Sequence, residues 1–242
     1  ANYTVNVAGS APGVQVAISN STLTGLNVVN VAGAGANVTV SNSTLNCNDT
    51  NPTPGEDYAA LTLNKDAVNG KITATDCTIN VTEGSDSFPG NNGAEGGVVT
   101  IDGSTDGVAV MVAYIADSSD YYYAFPSLAA ALEFAKPGQT VTLLRDVKSS
   151  EILVINKNIN LDGNGKTLTS TAGRAINVSG ASKATIKNLT INASGERAIN
   201  IIQNSKEVVI ENVTATAANY TVNVAGSAPG VQVAISNSTL TG

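Results

Sequence analysis

Histidine, the side chain most often used for acid/base catalysis near neutral pH, is absent from this chain of 242 residues. Its absence excludes Ser-His-Asp and Cys-His catalytic groups as well as histidine-ligated zinc. The 12 Lys and Arg against 19 Asp and Glu give a net charge of -7, which repels the phosphates of nucleic acids and anionic lipids. We therefore expect a protein that is not an enzyme and that has no nucleic-acid partner.

Carboxylates are concentrated in two segments, residues 46–58 and 82–97, which interrupt the repetitive parts of the sequence. Loops on a rigid scaffold commonly carry binding specificity, so their acidic residues are candidate ligand-binding residues. The candidates are Asp49, Glu56, Asp57, Glu83 and Asp86, with Glu95 close by. Oxygen ligands at this density can hold Ca²⁺, but their spacing matches no EF-hand or nonapeptide calcium motif. The alternative is that both segments are solvated loops and that the protein has no metal or cofactor.

Arg174 and Arg197 occupy the same position in neighbouring short repeats, and Tyr220 follows at that position in the next repeat. Stacked guanidinium groups can bind a carboxylated glycan or an acidic loop of a partner. The alternative is that Glu196 and other nearby acids neutralise two arginines on a solvated strand. We keep Arg174 and Arg197 as candidate ligand-binding residues.

Cys47 and Cys77 are the two cysteines of the chain, and the sequence leaves their pairing open. Alignment of the repeats places Cys77 beside Ser43, four residues before Cys47. A strand-like path would then separate the two sulfur atoms by more than a disulfide spans. The inserted loop after Cys47 can still bring it back, so both a disulfide and two free thiols are compatible with the sequence.

Residues 1–25 and residues 218–242 are identical, ANYTVNVAGSAPGVQVAISNSTLTG, so the sequence repeats with a period of 217 residues (218 − 1). This identity predicts a tandem array, of which the chain holds one full period and the start of the next. Residues 218–242 are then expected to stack on residues 197–216. The alternative is a local duplication of one segment.

A shorter repeat of about 22–25 residues runs through the long period. Examples are RAINVSGASKATIKNLTIN (174–192), RAINIIQNSKEVVIENVTAT (197–216) and NVVNVAGAGANVTVSNSTLN (27–46). Each repeat has two or three stretches in which β-branched residues alternate with polar ones, separated by turn-forming residues. Repeats too short to bury their own apolar face must stack on their neighbours. The pattern therefore predicts an all-β fold, a right-handed parallel β-helix (β-solenoid), with Ile186, Ile210, Ile18 and Val40 in one core column.

Residues 125–147 break the solenoid pattern and predict one short amphipathic helix. Ser127 is a suitable N-cap, while Leu128, Ala131, Leu132 and Ala135 share one face before Pro137 and Gly138 end the helix. A helix laid across the end of a solenoid would cover its open strand edges. We therefore divide the chain into solenoid coils (1–115), a tyrosine-rich linker with a capping helix (116–140) and further coils (141–242).

Five asparagines fall in one column at a corner of the aligned repeats: Asn20, Asn42, Asn188, Asn212 and Asn237. Asparagine tolerates the left-handed backbone of a tight corner, and stacked amides can bond from coil to coil. We expect a structural asparagine ladder whose side chains are substantially buried.

The stretches SLAAALEFAKPGQTVTLLRDV, ILVINKNINLDGNGKTLTST and AINVSG together resemble the tandem right-handed parallel β-helix repeats of large microbial cell-surface proteins, the adhesin-like relatives of the pectin-lyase fold. The resemblance covers residues 121–216. It implies an extracellular, cell-surface location and a repetitive stalk or adhesin, and it brings no catalytic residues. Ser104-Thr105-Asp106-Gly107 is similar to one polygalacturonase element, but the paired aspartates and the other elements of that family are missing. A simple Asp-Gly turn explains this tetrapeptide equally well.

The function expected from these observations is a structural module of a repetitive extracellular fibre, stalk or filament-forming adhesin, whose partners are other copies of the same repeat. A carbohydrate-binding adhesive module that contacts cell-surface glycans is the main alternative, and a polysaccharide lyase relative is a weaker one. No apolar run approaches the roughly 20 residues of a membrane helix, so no membrane insertion is expected.

An ice-binding solenoid is a further alternative, because Thr-x-Thr or Thr-x-Asn pairs recur at one strand of each repeat. The pairs begin at Thr22, Thr44, Thr78, Thr167, Thr190 and Thr214. Such a face resembles the ice-contacting face of ice-binding β-solenoids. Threonine is also favoured on ordinary exposed strands, because its branched side chain suits the pleated surface.

Overall fold

The computed structural model describes residues 3–48, 58–82, 87–117, 122–181 and 183–242. The predicted fold class is confirmed: within these residues the protein is nearly all β, with one helix, and its strands stack in parallel as a β-solenoid. The chain forms two compact units, Ala1–Met111 and Val112–Gly242.

The first unit has three walls of parallel strands, which contain five, four and three strands. The first wall has the order β1-β4-β7-β10-β12, the second β2-β5-β8-β11 and the third β3-β6-β9. The strands are β1 Tyr3–Val7, β2 Gln15–Ser19, β3 Thr22–Gly25, β4 Asn27–Val31, β5 Asn37–Ser41, β6 Thr44–Cys47, β7 Ala59–Leu63, β8 Lys71–Thr75, β9 Thr78–Val81, β10 Phe88–Asn92, β11 Val98–Ile101 and β12 Val108–Val110.

The second unit begins with an antiparallel strand pair and the helix, and continues as solenoid coils. Its elements are β13 Ala113–Ala116, β14 Tyr122–Phe125, α1 Leu128–Phe134, β15 Thr140–Leu143, β16 Val147–Ser149, β17 Leu153–Ile155, β18 Asn160–Asp162, β19 Thr167–Ser170, β20 Arg174–Ser179, β21 Ala184–Ala193, β22 Arg197–Ile202, β23 Glu207–Thr216, β24 Tyr220–Val224, β25 Gln232–Ser236 and β26 Thr239–Thr241. One wall is β17-β20-β22-β24. The long strands β21 and β23 each extend through two walls. Strand β21 pairs with both β18 and β19, and β23 pairs with both β25 and β26.

Aliphatic columns form the core of each unit, because alternate residues of every strand point to the same side of the wall. Register places Ile186 beside Ile210, and Ile210 beside Ile235. In the first unit Ile18 lies beside Val40. The predicted pairs of core residues are therefore confirmed, and burying such columns at about 25 cal/mol per Å² of apolar surface stabilises a chain that has no tryptophan.

Helix α1 packs across one end of the second unit. Ser127 is its N-cap, as predicted, and the Ser127 Oγ accepts a hydrogen bond of 3.4 Å from the backbone N–H of Ala130. The buried face of α1 joins the same apolar cluster as Leu153 and Ile155 of β17, the terminal strand of its wall. Lys157 Nζ donates a hydrogen bond to the carbonyl oxygen of Ala135, just beyond the helix. The helix thus covers the core at the strand where this wall begins.

The division into two units differs from the boundaries drawn from the sequence. The sequence assigns residues 113–115 to the first group of coils, whereas β13 pairs antiparallel with β14 and with β15 of the second unit. The tyrosine-rich segment therefore contributes a strand beside the helix, and the first unit ends at Met111.

Candidate functional site

Arg174 and Arg197 lie side by side on β20 and β22, and Tyr220 on β24 lies opposite Arg197. The Arg197 Nη2 atom is 2.9 Å from Glu196 Oε1, and the Arg197 guanidinium lies 5.9 Å from the centre of the Tyr220 ring. Glu196 and the Tyr220 ring both contact the Arg197 guanidinium, so at Arg197 the arrangement agrees with the alternative in which Glu196 neutralises the arginine. The Nε atoms of both arginines are buried without a hydrogen-bond partner.

The acidic candidates Asp49, Glu56, Asp57, Glu83 and Asp86 lie outside the described residues. Glu95 is described and its side chain is exposed. Among the described residues, no group of three or more Cys, Asp or Glu side chains is arranged to hold a metal ion. The carboxylate-rich loops therefore stay a prediction for Ca²⁺ binding.

Cys47 and Cys77 are not joined by a disulfide bond. Cys47 is buried, and its sulfur lies 2.9 Å from the carbonyl oxygen of Leu26. Cys77 is half-buried and its sulfur contacts the carbonyl oxygen of Thr75. The strand register aligns Cys77 with Ser43 rather than with Cys47, because Thr44 lies opposite Thr78.

The five corner asparagines all adopt left-handed backbone, with φ between 45° and 52°. Their predicted burial is wrong: the Asn188 side chain is half-buried, and the other four residues are exposed. The corner turns the chain between two walls, so the backbone needs the left-handed conformation while the amide remains in contact with water. Asn212 Nδ2 donates to Asn188 Oδ1 at 2.9 Å, the one amide bond between these five corner residues.

Asp162, which was not recognised from the sequence, lies opposite Lys187 and joins the corner asparagines of the second unit through a hydrogen bond. Its carboxylate accepts hydrogen bonds from Asn188 Nδ2 (3.0 Å) and from the backbone N–H of Asn164 (2.9 Å), and Lys187 Nζ lies 3.3 Å from it. Burial raises the pKa of Asp162, but these hydrogen bonds and the lysine charge outweigh it and hold the pKa below its ordinary value. An ionised aspartate therefore ends the amide chain Asn212, Asn188, Asp162.

A second asparagine ladder, also not recognised from the sequence, runs through a different wall. Asn200 Nδ2 donates to Asn177 Oδ1 at 2.9 Å, and Asn223 Nδ2 donates to Asn200 Oδ1 at 2.7 Å. In the first unit Asn30 Nδ2 donates to Asn6 Oδ1 at 2.8 Å. Asn200 and Asn30 are buried, at 2% and 3% exposure. In every bond the later coil donates to the earlier one.

The threonine pairs stack in register, as their alignment predicts. Thr167 lies beside Thr190, which lies beside Thr214, and Thr214 lies beside Thr239. In the first unit the second column of the pairs is an amide chain: Asn80 donates to Asn46 Oδ1, and Asn46 donates to Thr24 Oγ1. The polar groups of this column form hydrogen bonds between neighbouring coils. Ice binding stays a prediction.

The two copies of the repeated segment form a coil in each unit, and each copy has a different face covered. In the first unit β1 pairs with β4, so Tyr3 lies opposite Asn27. In the second unit β24 pairs with β22, so Tyr220 lies opposite Arg197, the neighbour that the repeat predicts. Val7 is 5% exposed, whereas Val224, the same residue in the other copy, is 48% exposed. One copy thus shows how the coil binds its following neighbour, and the other shows how it binds its preceding neighbour.

Comparison of the chain with protein-family models, with curated proteins and with solved structures gives no match. Within the described residues, no helix combines the length and apolar character needed to cross a bilayer.

Proposed function

We propose that the chain is a non-catalytic structural module of a repetitive extracellular surface protein, a fibre, stalk or filament-forming adhesin, in which each 217-residue period forms one capped solenoid. The repeated coil is the observation that carries this proposal. The same 25 residues bind residues 197–202 in the second unit and residues 27–31 in the first. Joined through one such coil, the second unit followed by the first makes an uninterrupted solenoid, so the natural partner of each unit is another copy of the repeat.

Hydrogen bonds support this continuity. The asparagine ladder of the second unit ends on one copy of the coil, and the asparagine ladder of the first unit starts from the other copy. Asn223 donates to Asn200 in the second unit, and its equivalent Asn6 accepts from Asn30 in the first. A single asparagine at this position would make both bonds. The buried ladder then runs through the junction with one donor direction.

The serine at the next corner behaves in the same way. Ser238 Oγ accepts a hydrogen bond from the backbone N–H of Val213 at 3.1 Å. Its equivalent Ser21 donates its own backbone N–H to Ser43 Oγ, also at 3.1 Å. One serine in a continuous coil would satisfy both contacts, since its hydroxyl and its backbone N–H are separate groups.

The solenoid formed in this way has a length set by its coils. The wall that contains β1 has five strands, and the wall that contains β24 has four. Because β24 repeats β1, these two strands count as one coil, and each period has eight coils. At about 4.8 Å between strands, eight coils extend for about 38 Å. Helix α1 covers the end at which this stack begins. A short, stiff, capped rod repeated along a chain is suited to holding a distal region away from a surface.

Circular permutation tests the module. A chain that starts at Val112, runs to Ala217 and continues with residues 1–111 contains one period in the proposed order. We expect it to unfold in one cooperative transition at a higher urea concentration than either transition of the 242-residue chain, because the coil has both faces covered. Two separate transitions at unchanged urea concentrations would contradict the proposal.

Immunogold labelling tests the location. Antibodies against the permuted chain should label the outer surface of intact cells that make the protein, and brief protease treatment of those cells should remove the label. Label found only after the cells are opened would contradict a surface role. An antibody against a cytoplasmic protein is the matched control.

Carbohydrate binding is the second candidate, and a polar groove favours it. Asn164, Asn188, Asn212, Thr190 and Thr214 line this groove, whose volume is about 360 Å³. Amides and hydroxyls in a row can bond to sugar hydroxyls. A glycan array probed with the native chain tests this candidate, with the paired variant Thr190→Val and Thr214→Val expected to lose binding and Thr44→Val expected to keep it. Equal binding by both variants, or no binding by the native chain, would leave the structural role alone.

A further inference from the structure

Each of the five corner asparagines begins a complete sequon, the tripeptide Asn-x-Ser/Thr that accepts N-linked glycans on the surface of extracellular proteins. Threonine follows two residues after every one of them, as in Asn42-Ser43-Thr44. The left-handed corner alone does not require asparagine, because Asp76 adopts the same conformation in the next coil, with φ of 53°. The corner sequons therefore offer a chemistry that the fold does not use.

We propose that Asn42 is an N-glycosylation site of the folded protein. An oligosaccharide transferase joins Nδ2 of Asn42 to the anomeric carbon of an oligosaccharide that is carried on a lipid phosphate. The bond between that carbon and the phosphate oxygen breaks, the lipid phosphate leaves with the bonding electrons, and one amide proton goes to a base of the transferase. The inference rests on the proposed extracellular location, because sequons are modified on exported chains.

The Asn42 side chain is exposed although coils lie on both sides of it. Strand β5, which ends just before Asn42, pairs with β2 on one side and with β8 on the other. The backbone N–H of Asn42 donates to the carbonyl oxygen of Thr75 at 3.1 Å and holds the corner in place. Within the described part of the chain the Asn42 side-chain amide forms no hydrogen bond, so Nδ2 can react without breaking a contact of the stack.

The middle residue of the sequon turns inwards, which leaves its two recognised residues on the outer side. Ser43 is 4% exposed, and its hydroxyl donates to the carbonyl oxygen of Ser41 and accepts the backbone N–H of Ser21. Because neighbouring side chains of an extended segment point to opposite sides, Asn42 and Thr44 face away from Ser43. A transferase can thus reach the amide and the hydroxyl from the same side.

Two sequons of the second unit have side chains that are held inside the stack. Asn177 is half-buried, and its Oδ1 accepts the amide of Asn200 in the buried ladder. Asn188 is half-buried as well, and its Nδ2 donates to Asp162. A glycan on either asparagine would disturb these bonds between coils.

The sequon at Asn192 is exposed but has the wrong local structure. Asn192 and Ala193 belong to β21, which pairs with β19 and β23 along this part of the wall. Acceptor sequons lie in surface loops and turns, so a strand held on both sides is a poor acceptor. Asn192 is therefore a suitable control for Asn42.

Mass spectrometry of the protein purified from the cells that make it tests the site. Peptides that contain Asn42 should carry an added oligosaccharide, whereas peptides that contain Asn177 should have the mass of the unmodified sequence. An unmodified Asn42 would overturn the inference. A glycan on Asn177 would also overturn it, because the fold would then not select the acceptor.

Variants of the 242-residue chain secreted from yeast separate the sequon from the corner. Asn42→Asp removes the acceptor and keeps a residue that the corner tolerates, as Asp76 shows. Asn42→Asp and Thr44→Val should each lose the mass of one glycan relative to the native chain, Thr44→Ser should keep it, and Asn192→Asp should lose none. After removal of the glycans by an endoglycosidase, the native chain and all variants should migrate alike. Equal glycan mass in the native chain and in Asn42→Asp would refute the site, as would an equal loss in Asn192→Asp.

The result can be separated from the proposed function. Immunogold label on the cell surface together with an unmodified Asn42 would refute glycosylation and leave the surface role in place. Label found only inside opened cells would count against both. The single unfolding transition of the permuted chain would uphold the structural module in either case.

Discussion

The buried asparagine ladder gives the sharpest stability prediction, at Asn200. Its amide nitrogen donates to Asn177, and its amide oxygen accepts from Asn223. Asn200→Ala removes both bonds and leaves one acceptor and one donor without a partner. An orphaned buried polar group costs about 1–3 kcal/mol. Asn177 and Asn223 are half-buried and gain some access to water, so we use the lower figure for each and expect a loss of about 2 kcal/mol.

Asn192→Ala is the matched control, since Asn192 is an exposed asparagine on strand β21. A substitution there should change the free energy of unfolding by less than about 0.5 kcal/mol. The assay is urea unfolding followed by far-UV circular dichroism, fitted as two transitions because the chain has two compact units. Hydrogen exchange should show lost protection around β22 in Asn200→Ala. Equal stability losses in the two variants would refute a stabilising ladder.

Three further predictions concern the corners and the helix. Asn212→Ala should cost about 1 kcal/mol more than Asn212→Gly, because Asn212 has φ of 52° and only the glycine adopts it freely; similar urea midpoints would contradict this. The pKa of Asp162 lies below its ordinary value of 3.8, so its stabilising effect should be complete above that pH and decline as the pH falls further. The urea midpoints of the native chain and of Asp162→Asn should therefore converge in acid, and a gap that does not depend on pH would count against this assignment. Ser127→Ala should cost about 1 kcal/mol in the second unit by removing the N-cap of α1, as measured by urea unfolding, with Ser150→Ala as the control.

The sequence predicts the stacked fold because each level of its pattern agrees with the next. Alternating β-branched residues set the strands, and asparagine in the left-handed region sets the corner between β21's two wall segments at Asn188. The helix was predictable in detail, since Ser127 and Pro137 mark its limits and its apolar face repeats at helical spacing. Right-handed winding stays a prediction of the crossover rule.

Burial of polar side chains was less predictable than the fold. The repeats show an asparagine at the same place in AIN, AIN, TVN and VVN, and this alignment is the signal for the buried ladder. A polar residue between two apolar ones reads as exposed on a strand, so only the stacking of several coils reveals that Asn200 is covered. For the corner asparagines the sequence overestimates burial. A left-handed corner requires a residue that tolerates positive φ, and it does not require the side chain of that residue to be buried.

The unit boundary depends on pairings between distant segments. Strand β13 is an ordinary alternating strand in sequence, and nothing local distinguishes it from another solenoid strand. Its antiparallel pairing with β14 and β15 assigns it to the second unit. The carboxylates of the two acidic loops have a spacing that matches no known calcium motif, and local composition alone does not define a binding site.

A crystal structure of the permuted single-period chain tests the central claim most directly, because it contains one copy of the repeated coil between its two neighbours. We predict that the asparagine of this coil donates to Asn200 Oδ1 and accepts from Asn30 Nδ2, each within about 3 Å, and that its tyrosine lies between Arg197 and Asn27 in parallel register. A coil that keeps its pairing with only one neighbour, or that pairs with the other in a different register, would contradict it.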